Sequence, residues 1–199
     1  MNMPIVQLLV LAGIAIFLIL RLRSVLGTKD GFEKPPVPAP STRDDTRRDF
    51  EVMALAQMKR TDPSFGVGDF LSGARGAYEM ILMGFERGEI EQLEPFLDDD
   101  VYQTFQEVVA SRKAQGLTIE AEFVGVRELS LVAASYDESS SMAEITVKYV
   151  GELTSVVKDA NDEVIEGSPT AIKRQKDIWT YARQMNSGDP NWQLVATDE

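Results

Sequence analysis

The sequence contains no cysteine and no histidine. Without cysteine, the chain has no disulfide bond, no thiolate nucleophile and no zinc site with sulfur ligands. Without histidine, it lacks the commonest general base near neutral pH and the commonest metal ligand. The chain therefore lacks the side chains that most often act as nucleophile, general base or metal ligand. The sequence predicts neither an enzyme nor a cofactor.

Other signatures of a reaction centre are also missing. Gly66 and Gly68 lack the later glycine and the preceding strand of a phosphate-binding loop. Residues 98–100 are three consecutive aspartates before a helical stripe, and we interpret them as helix caps rather than metal ligands. A carboxylate base in an apolar pocket stays open as an alternative, although no single Asp or Glu stands out.

The charge is divided unevenly along the chain. Residues 1–60 contain nine Lys and Arg against six Asp and Glu, so the net charge of −12 leaves −15 for residues 61–199. An acidic domain repels phosphate backbones, and the sequence therefore predicts no nucleic-acid partner. The basic excess lies beside the apolar N-terminus, where anionic lipid headgroups would be.

An apolar run at the N-terminus is long enough to cross a bilayer. Residues 4–20 are apolar except for Gln7, and with flanking residues the run approaches the ~20 residues that a transmembrane helix needs. No Lys or Arg precedes it and no small-residue cleavage site follows, which favours an uncleaved anchor over residues 1–26 rather than a long cleaved signal. Arg21 and Arg23 flank the span, so the positive-inside rule predicts a single-pass protein of a bacterial inner membrane with its domain on the cytoplasmic side.

A linker separates this anchor from the predicted domain. Residues 27–49 are charged and contain four closely spaced prolines, which favour an extended spacer. The domain is predicted over residues 50–199. Its first element is a short helix over residues 50–59, either an interfacial or partner-docking helix or an ordinary helix packed on the domain.

The period of the apolar residues changes from helical to extended at Gly116. Before it, a stripe from Phe70 to Phe85 predicts an amphipathic helix that ends at Gly88, and a second helical stripe follows the three aspartates. After it, apolar and polar residues alternate in a series of strands, with a slip at Gly125 that predicts a bulge and a bent strand. Helices followed by an antiparallel meander predict an α+β fold.

Three stretches of sequence form a recognisable set: Phe70-Leu71-x-Gly73-Ala74-x-x-Ala77-Tyr78-Glu79, Phe85-Glu86-Arg87-Gly88, and Asp177-x-Trp179-Thr180-Tyr181-x-Arg183 followed by Asp189-Pro190-Asn191-Trp192-x-Leu194. Together they resemble the Tim44-like domain family, named after the tether subunit of the mitochondrial protein-import motor. The resemblance covers roughly residues 50–199. Tyr181 stands where the family more often has Phe.

The resemblance implies a cone-shaped fold, similar to nuclear transport factor two, in which N-terminal helices pack in a curved antiparallel sheet around an apolar pocket. The residues predicted to line that pocket are Tyr78, Leu82, Phe105, Phe123, Tyr149, Trp179 and Tyr181. The alternative is that these aromatic side chains fill the core of a small domain without marking a site.

The resemblance also implies a tether or adaptor at the inner membrane that binds a protein partner, or a lipid in the pocket, in protein translocation or in the assembly of a membrane complex. Two alternatives stay open. One is a scaffold subunit of an envelope or secretion complex, which would place the domain in the periplasm. The other is a pocket enzyme of the ketosteroid-isomerase type, which requires a buried carboxylate beside a tyrosine such as Tyr78, Tyr102 or Tyr149.

Overall fold

A computed structural model describes residues 42–198 of the protein. Within this range three α-helices and two short 3-10 helices precede a four-stranded antiparallel sheet. In chain order the elements are α1 (Thr42–Thr61), α2 (Val67–Arg87), the 3-10 helices Ile90–Gln92 and Glu94–Phe96, α3 (Asp99–Ala114), β1 (Thr118–Asp137), β2 (Met142–Lys158), β3 (Val164–Gln184) and β4 (Gln193–Asp198). The predicted α+β plan is confirmed.

Helix α2 has the buried stripe that the helical period predicts. Phe70, Ala74, Tyr78 and Ile81 are buried on the side that packs against the sheet. The helix ends at Gly88, whose left-handed conformation (φ 73°) lets its N–H return to carbonyls of the last turn. The predicted stop is therefore confirmed.

The three aspartates at the start of α3 act on the helix terminus. Asp98 is the N-cap, and its Oδ1 accepts a hydrogen bond of 2.9 Å from the N–H of Val101. Asp99 and Asp100 occupy the first turn, where carboxylates complement the positive end of the helix dipole. The capping interpretation is confirmed.

Helix α1 is longer than the helix predicted over residues 50–59. It begins at Thr42, within the segment predicted as linker, and packs against β1. Met58 is fully buried on its inner side, whereas Phe50 and Val52 are 66% and 65% exposed. The helix therefore presents apolar side chains to two environments, the core and the solvent.

The sheet follows chain order, β1-β2-β3-β4, so β1 and β4 are its edge strands. Pairing of β1 with β2 shifts register three times, and the shift between Phe123 and Gly125 confirms the predicted bulge. A further shift lies where β3 leaves its register with β2, beyond Leu153. There Gly167 has φ 83°, and a Cβ atom on it would lie 2.0 Å from the carbonyl oxygen of Ser155.

Several predictions concern the N-terminal part of the chain. The anchor over residues 1–26, the proline-rich segment before residue 42, and the flanking Arg21 and Arg23 lie outside the described residues. Between residues 42 and 198, none of the helices has both the length and the apolar composition of a membrane span. The division of the chain at residues 26 and 49 stays a prediction.

Candidate functional site

An aromatic cluster fills the space between α2 and the sheet. Tyr78 of α2 stacks on Tyr149 of β2 with ring centroids 4.3 Å apart and an interplanar angle of 9°. Trp179 of β3 lies against both rings, at 4.8 and 5.7 Å. Such pairs contribute ~0.5–1.5 kcal/mol each beyond the burial of their area. The cluster therefore joins the helix to the two central strands.

The cluster holds one buried carboxylate, on Asp177 of β3. The hydroxyl of Tyr78 donates to its Oδ2 at 2.5 Å, and Nε2 of Gln175 donates to the same oxygen at 2.9 Å. Gly151 makes this geometry possible, because a Cβ atom there would lie 2.5 Å from the Tyr78 hydroxyl oxygen. Burial, followed by the hydrogen bond to Asp177, raises the pKa of Tyr78 well above its usual range, so the phenol stays protonated as a donor.

A second pair of hydroxyl groups lies in the same core. The hydroxyl of Tyr149 donates to the carbonyl oxygen of Ala74 at 3.2 Å and lies 3.0 Å from the hydroxyl of Tyr181. Burial raises the pKa of both phenols above the ordinary value. Among the described residues, no buried side-chain nitrogen or oxygen lacks a hydrogen-bond partner. The polar groups of this interior are thus occupied with one another.

An ion pair joins the end of β3 to the connection between α1 and α2. Nη2 of Arg183 lies 2.6 Å from Oδ2 of Asp62, and the two side chains are only 10% and 13% exposed. Hydrogen bonds from Ser64 and then from Arg183 lower the pKa of Asp62 to about 2. Arg183 also donates to the carbonyl oxygen of Asp189 and lies 6.0 Å from the ring of Trp192. One guanidinium thus holds the α1–α2 connection against the β3–β4 turn.

A small apolar cavity of about 220 Å³ lies beside this ion pair. Small residues of α2 leave the space, and aromatic rings from α2 and from other elements line it. The lining residues are Phe70, Gly73, Ala74, Ala77, Phe96, Tyr181, Pro190, Asn191 and Trp192. None of the nine carries a charge, so the cavity suits an apolar group.

Two larger clefts lie beside the first residues of β1. The first, of about 560 Å³, lies between α2, the following 3-10 helix and β1, and Glu79, Glu89 and Glu122 line it together with Met80 and Met83. The second, of about 470 Å³, exposes the consecutive residues 119–122 of β1 beside Thr154, Val156 and Pro169. Both clefts share Arg87 and Glu122, so they adjoin each other near the start of β1.

The seven residues predicted to line a pocket do not together line any of the three cavities described above. Five of them are buried in the core: Tyr78, Leu82, Tyr149, Trp179 and Tyr181. The other two, Phe105 and Phe123, are partly buried against it. Tyr181 lines the small apolar cavity and Phe123 lines the first cleft. The role of the seven as pocket lining stays a prediction.

The geometry offers little to a metal ion. In the part of the chain from residue 42 to residue 198, no group of three or more Asp or Glu side chains is placed to hold one. The carboxylate of Asp177 accepts from Tyr78 and Gln175, and it lines none of the three cavities described above. The features that face solvent are instead the acidic clefts and the apolar cavity.

Residues 52–199 match the family model of the Tim44-like domain. The chain belongs to the Tim44-like domain family. The match covers the aromatic cluster, the Arg183–Asp62 ion pair and all three cavities, so these are features of the Tim44-like domain of this protein.

Curated relatives agree with this assignment. Over 144 residues the chain is 24% identical to the human mitochondrial import inner membrane translocase subunit TIM44 and 23% identical to the subunit from Rattus norvegicus. Each alignment covers 71% of this chain but only 31% of the relative, so the chain spans about a third of their length. Among solved structures, the intermembrane space region of chloroplast protein ARC6 aligns over 81% of this chain and 97% of its own, with 14% identity and a TM-score of 0.37.

Sequence reasoning missed Asp177 and the edge of β1. Asp177 has the same parity along β3 as Trp179 and Tyr181, so the strand period alone places it on the core side. That signal was present in the motif. The clefts at β1 have no such local signal, because they form only where the end of α2 meets the first residues of the strand.

Proposed function

We propose that this chain is a membrane-anchored, non-enzymatic adaptor whose Tim44-like domain binds a protein partner at a bacterial inner membrane. The observation that carries the proposal is the family match of residues 52–199 in a chain whose first 26 residues are predicted to form an anchor. The mammalian relatives are named as subunits of an inner membrane import translocase. By analogy, the partner of this chain belongs to a machinery for protein translocation or for membrane-complex assembly.

The described geometry supports a binding function over a chemical one. The buried hydroxyl and carboxylate groups are bonded to one another, whereas concave surfaces lie on the outside of the domain. The fold is proposed to be a cone similar to nuclear transport factor two, supported by the bulge at Gly125 and by the packing of α1 and α2 on β1. The apolar cavity beside Trp192 is the place proposed for a lipid chain or another apolar group.

Crosslinking of the full-length protein in native membranes, followed by identification of the captured proteins, tests the adaptor. We expect capture of subunits of one membrane complex, and loss of that capture in a variant that lacks residues 1–26. Recovery of lipid or a small molecule alone would contradict the adaptor function and would favour ligand binding in the apolar cavity.

Membrane orientation separates the adaptor from the envelope scaffold. Since the sequence has no cysteine, an Ala110→Cys substitution on the exposed side of α3 introduces the only thiol. We expect a membrane-impermeant maleimide to label this thiol in inverted membrane vesicles and not in intact spheroplasts. Labelling in intact spheroplasts would place the domain in the periplasm and favour the scaffold.

One observation favours a second candidate, the pocket enzyme. Asp177 and Tyr78 are the buried carboxylate and tyrosine that this alternative requires. Isomerisation of a Δ5-3-ketosteroid, followed by the rise in ultraviolet absorbance of the conjugated product, tests it directly. We expect no turnover above the buffer rate, and turnover that an Asp177→Asn substitution abolishes would establish the enzyme instead.

A further inference from the structure

The outer edge of β1 is open along its first residues. In the sheet, β1 pairs only with β2, so no other strand between residues 42 and 198 uses the N–H and C=O groups on its far side. The second cleft, lined by residues 119–122, also includes residues of β2 and β3, but the first cleft, where Glu122 and Phe123 meet the end of α2, is lined by no residue of β2. An edge with this access is a template for an added strand.

The charges around this edge decide what it accepts. Glu120 and Glu122 project from the outer face of β1, and Glu79 and Glu89 lie on the helix side. All four are exposed, and Arg87 is the one cation that lines the two clefts. Glu120 is paired with Lys158, whose Nζ lies 2.6 Å from its Oε1, so the carboxylates that an incoming Lys or Arg would meet are those of Glu79, Glu89 and Glu122.

The symmetric antiparallel pairing of two copies of this chain is disfavoured at the same edge. Antiparallel pairing of residues 119–123 with the same residues of another molecule would place Glu120 and Glu122 of one strand opposite the glutamates of the other. Like charges in directly opposed positions destabilise a strand pair. The glutamates thus disfavour this symmetric pairing and select a basic partner.

The first cleft also supplies apolar contacts next to the edge. Met80 and Met83 of α2 lie in it with Leu93 and Phe123. Methionine side chains adapt to apolar groups of different shape. A segment in which basic residues alternate with apolar ones would therefore satisfy both the carboxylates and the methionines.

We propose that the open edge of β1 binds an extended, lysine- or arginine-bearing segment of a partner protein as a fifth strand of the sheet. This inference rests on the adaptor function proposed above and identifies where the partner docks. Backbone hydrogen bonds to residues 119–123 provide the affinity, and the glutamates provide the selectivity.

The probe is an eight-residue peptide of alternating Lys and Val, titrated into the full-length protein in lipid nanodiscs. Two matched peptides control for the mode of binding. In one, Glu replaces Lys; in the other, two consecutive central residues are N-methylated, which blocks hydrogen bonding on both edges of the peptide. We expect saturable binding of the Lys–Val peptide alone, weakened by added salt, with slowed amide hydrogen exchange confined to residues 118–124.

Two double variants test the site itself. We expect the variant with Glu79→Gln and Glu122→Gln to bind the Lys–Val peptide about tenfold more weakly. The control variant, with Glu107→Gln and Glu128→Gln, changes the net charge equally at exposed positions outside both clefts, and we expect its affinity for the peptide to be unchanged. Equal weakening by both pairs, full binding of the N-methylated peptide, or no binding of any peptide would overturn the proposal. The Glu79→Gln, Glu122→Gln variant is also tested by crosslinking in native membranes. If it captures the same partner as the unaltered protein, the proposed adaptor function is retained and the edge of β1 is not the docking site.

Discussion

Removal of one hydroxyl group, by a Tyr78→Phe substitution, tests the account of the buried cluster. The substitution keeps the ring that stacks on Tyr149 at 4.3 Å and removes the donor to Asp177, together with a long hydrogen bond of 3.5 Å that the hydroxyl accepts from Gln175. Asp177 is 9% exposed, so water does not readily replace the lost donor, and Gln175 stays as the partner of Oδ2. The short hydrogen bond to the buried carboxylate is therefore the main interaction that the substitution removes.

The expected effect follows from the charge of the acceptor. A hydrogen bond to a charged group contributes ~1.5–3 kcal/mol, and a buried carboxylate that loses a donor adds its desolvation penalty. We expect Tyr78→Phe to lower the free energy of unfolding by about 2–3 kcal/mol. For a domain of this size that corresponds to a fall in Tm of roughly 4–12 °C.

Tyr149→Phe is the matched control. Its hydroxyl bonds to neutral groups, the carbonyl oxygen of Ala74 and the hydroxyl of Tyr181, so we expect a smaller loss of about 1 kcal/mol. Urea unfolding followed by tryptophan fluorescence measures both, because Trp179 lies 4.8 Å from the Tyr78 ring. A loss for Tyr78→Phe no larger than that for Tyr149→Phe would refute the reasoning that the charge of Asp177 strengthens the bond.

Three further predictions follow from the same structure. Burial raises the pKa of Tyr78, Tyr149 and Tyr181 above the ordinary 10.0, so tyrosines of the unfolded chain ionise first; the free energy of unfolding should fall as the pH rises past ~10, by up to about 1.4 kcal/mol per pH unit for each tyrosine, and a chemical unfolding series between pH 9 and 12 measures the slope. The pKa of Asp62 is lowered from 3.8 to about 2 by hydrogen bonds from Ser64 and then Arg183, so its stabilising contribution is present above 3.8 and is lost as the pH falls towards 2; an Asp62→Asn variant should show a flatter dependence of stability on pH in that window, and an unchanged dependence would contradict the contribution of these hydrogen bonds. Gly167→Ala should lower the free energy of unfolding by about 2 kcal/mol or more, because the Cβ atom would collide with the Ser155 carbonyl at a positive φ; Gly68→Ala, with no atom within 4 Å of its Cβ position, is the control, which thermal unfolding should show to be near neutral.

Local patterns in the sequence were sufficient to predict most of the fold. The stripe of α2 and its end at Gly88 follow from a period and a backbone conformation that neighbouring residues define. The bulge at Gly125 was visible because one residue interrupts a two-residue alternation. The bounds of β3 were less accessible, since its first half, from Val164, is almost entirely exposed and has no alternation of buried and exposed residues.

The candidate sites depend on contacts between distant parts of the chain. Tyr78 and Asp177 are 99 residues apart, and Asp62 and Arg183 are 121 residues apart. No short-range pattern in the sequence predicts such a contact, although the motif around Trp179 includes one residue of each pair, Asp177 and Arg183 of β3. The acidic clefts likewise require the end of α2 to meet the start of β1, which only the tertiary structure shows.

The Arg183–Asp62 ion pair has a mechanical consequence. Asp62 lies in the connection between α1 and α2, and Arg183 lies near the end of β3, in the sheet. A pulling force that enters the domain along α1 therefore meets this attachment before it can reach α2. The ion pair, together with the contacts between α1 and β1, would transfer part of this load to the sheet before it reaches the aromatic cluster around Tyr78. An Asp62→Asn substitution should for this reason lower the force at which α1 peels away, more than it lowers the stability of the unstressed domain.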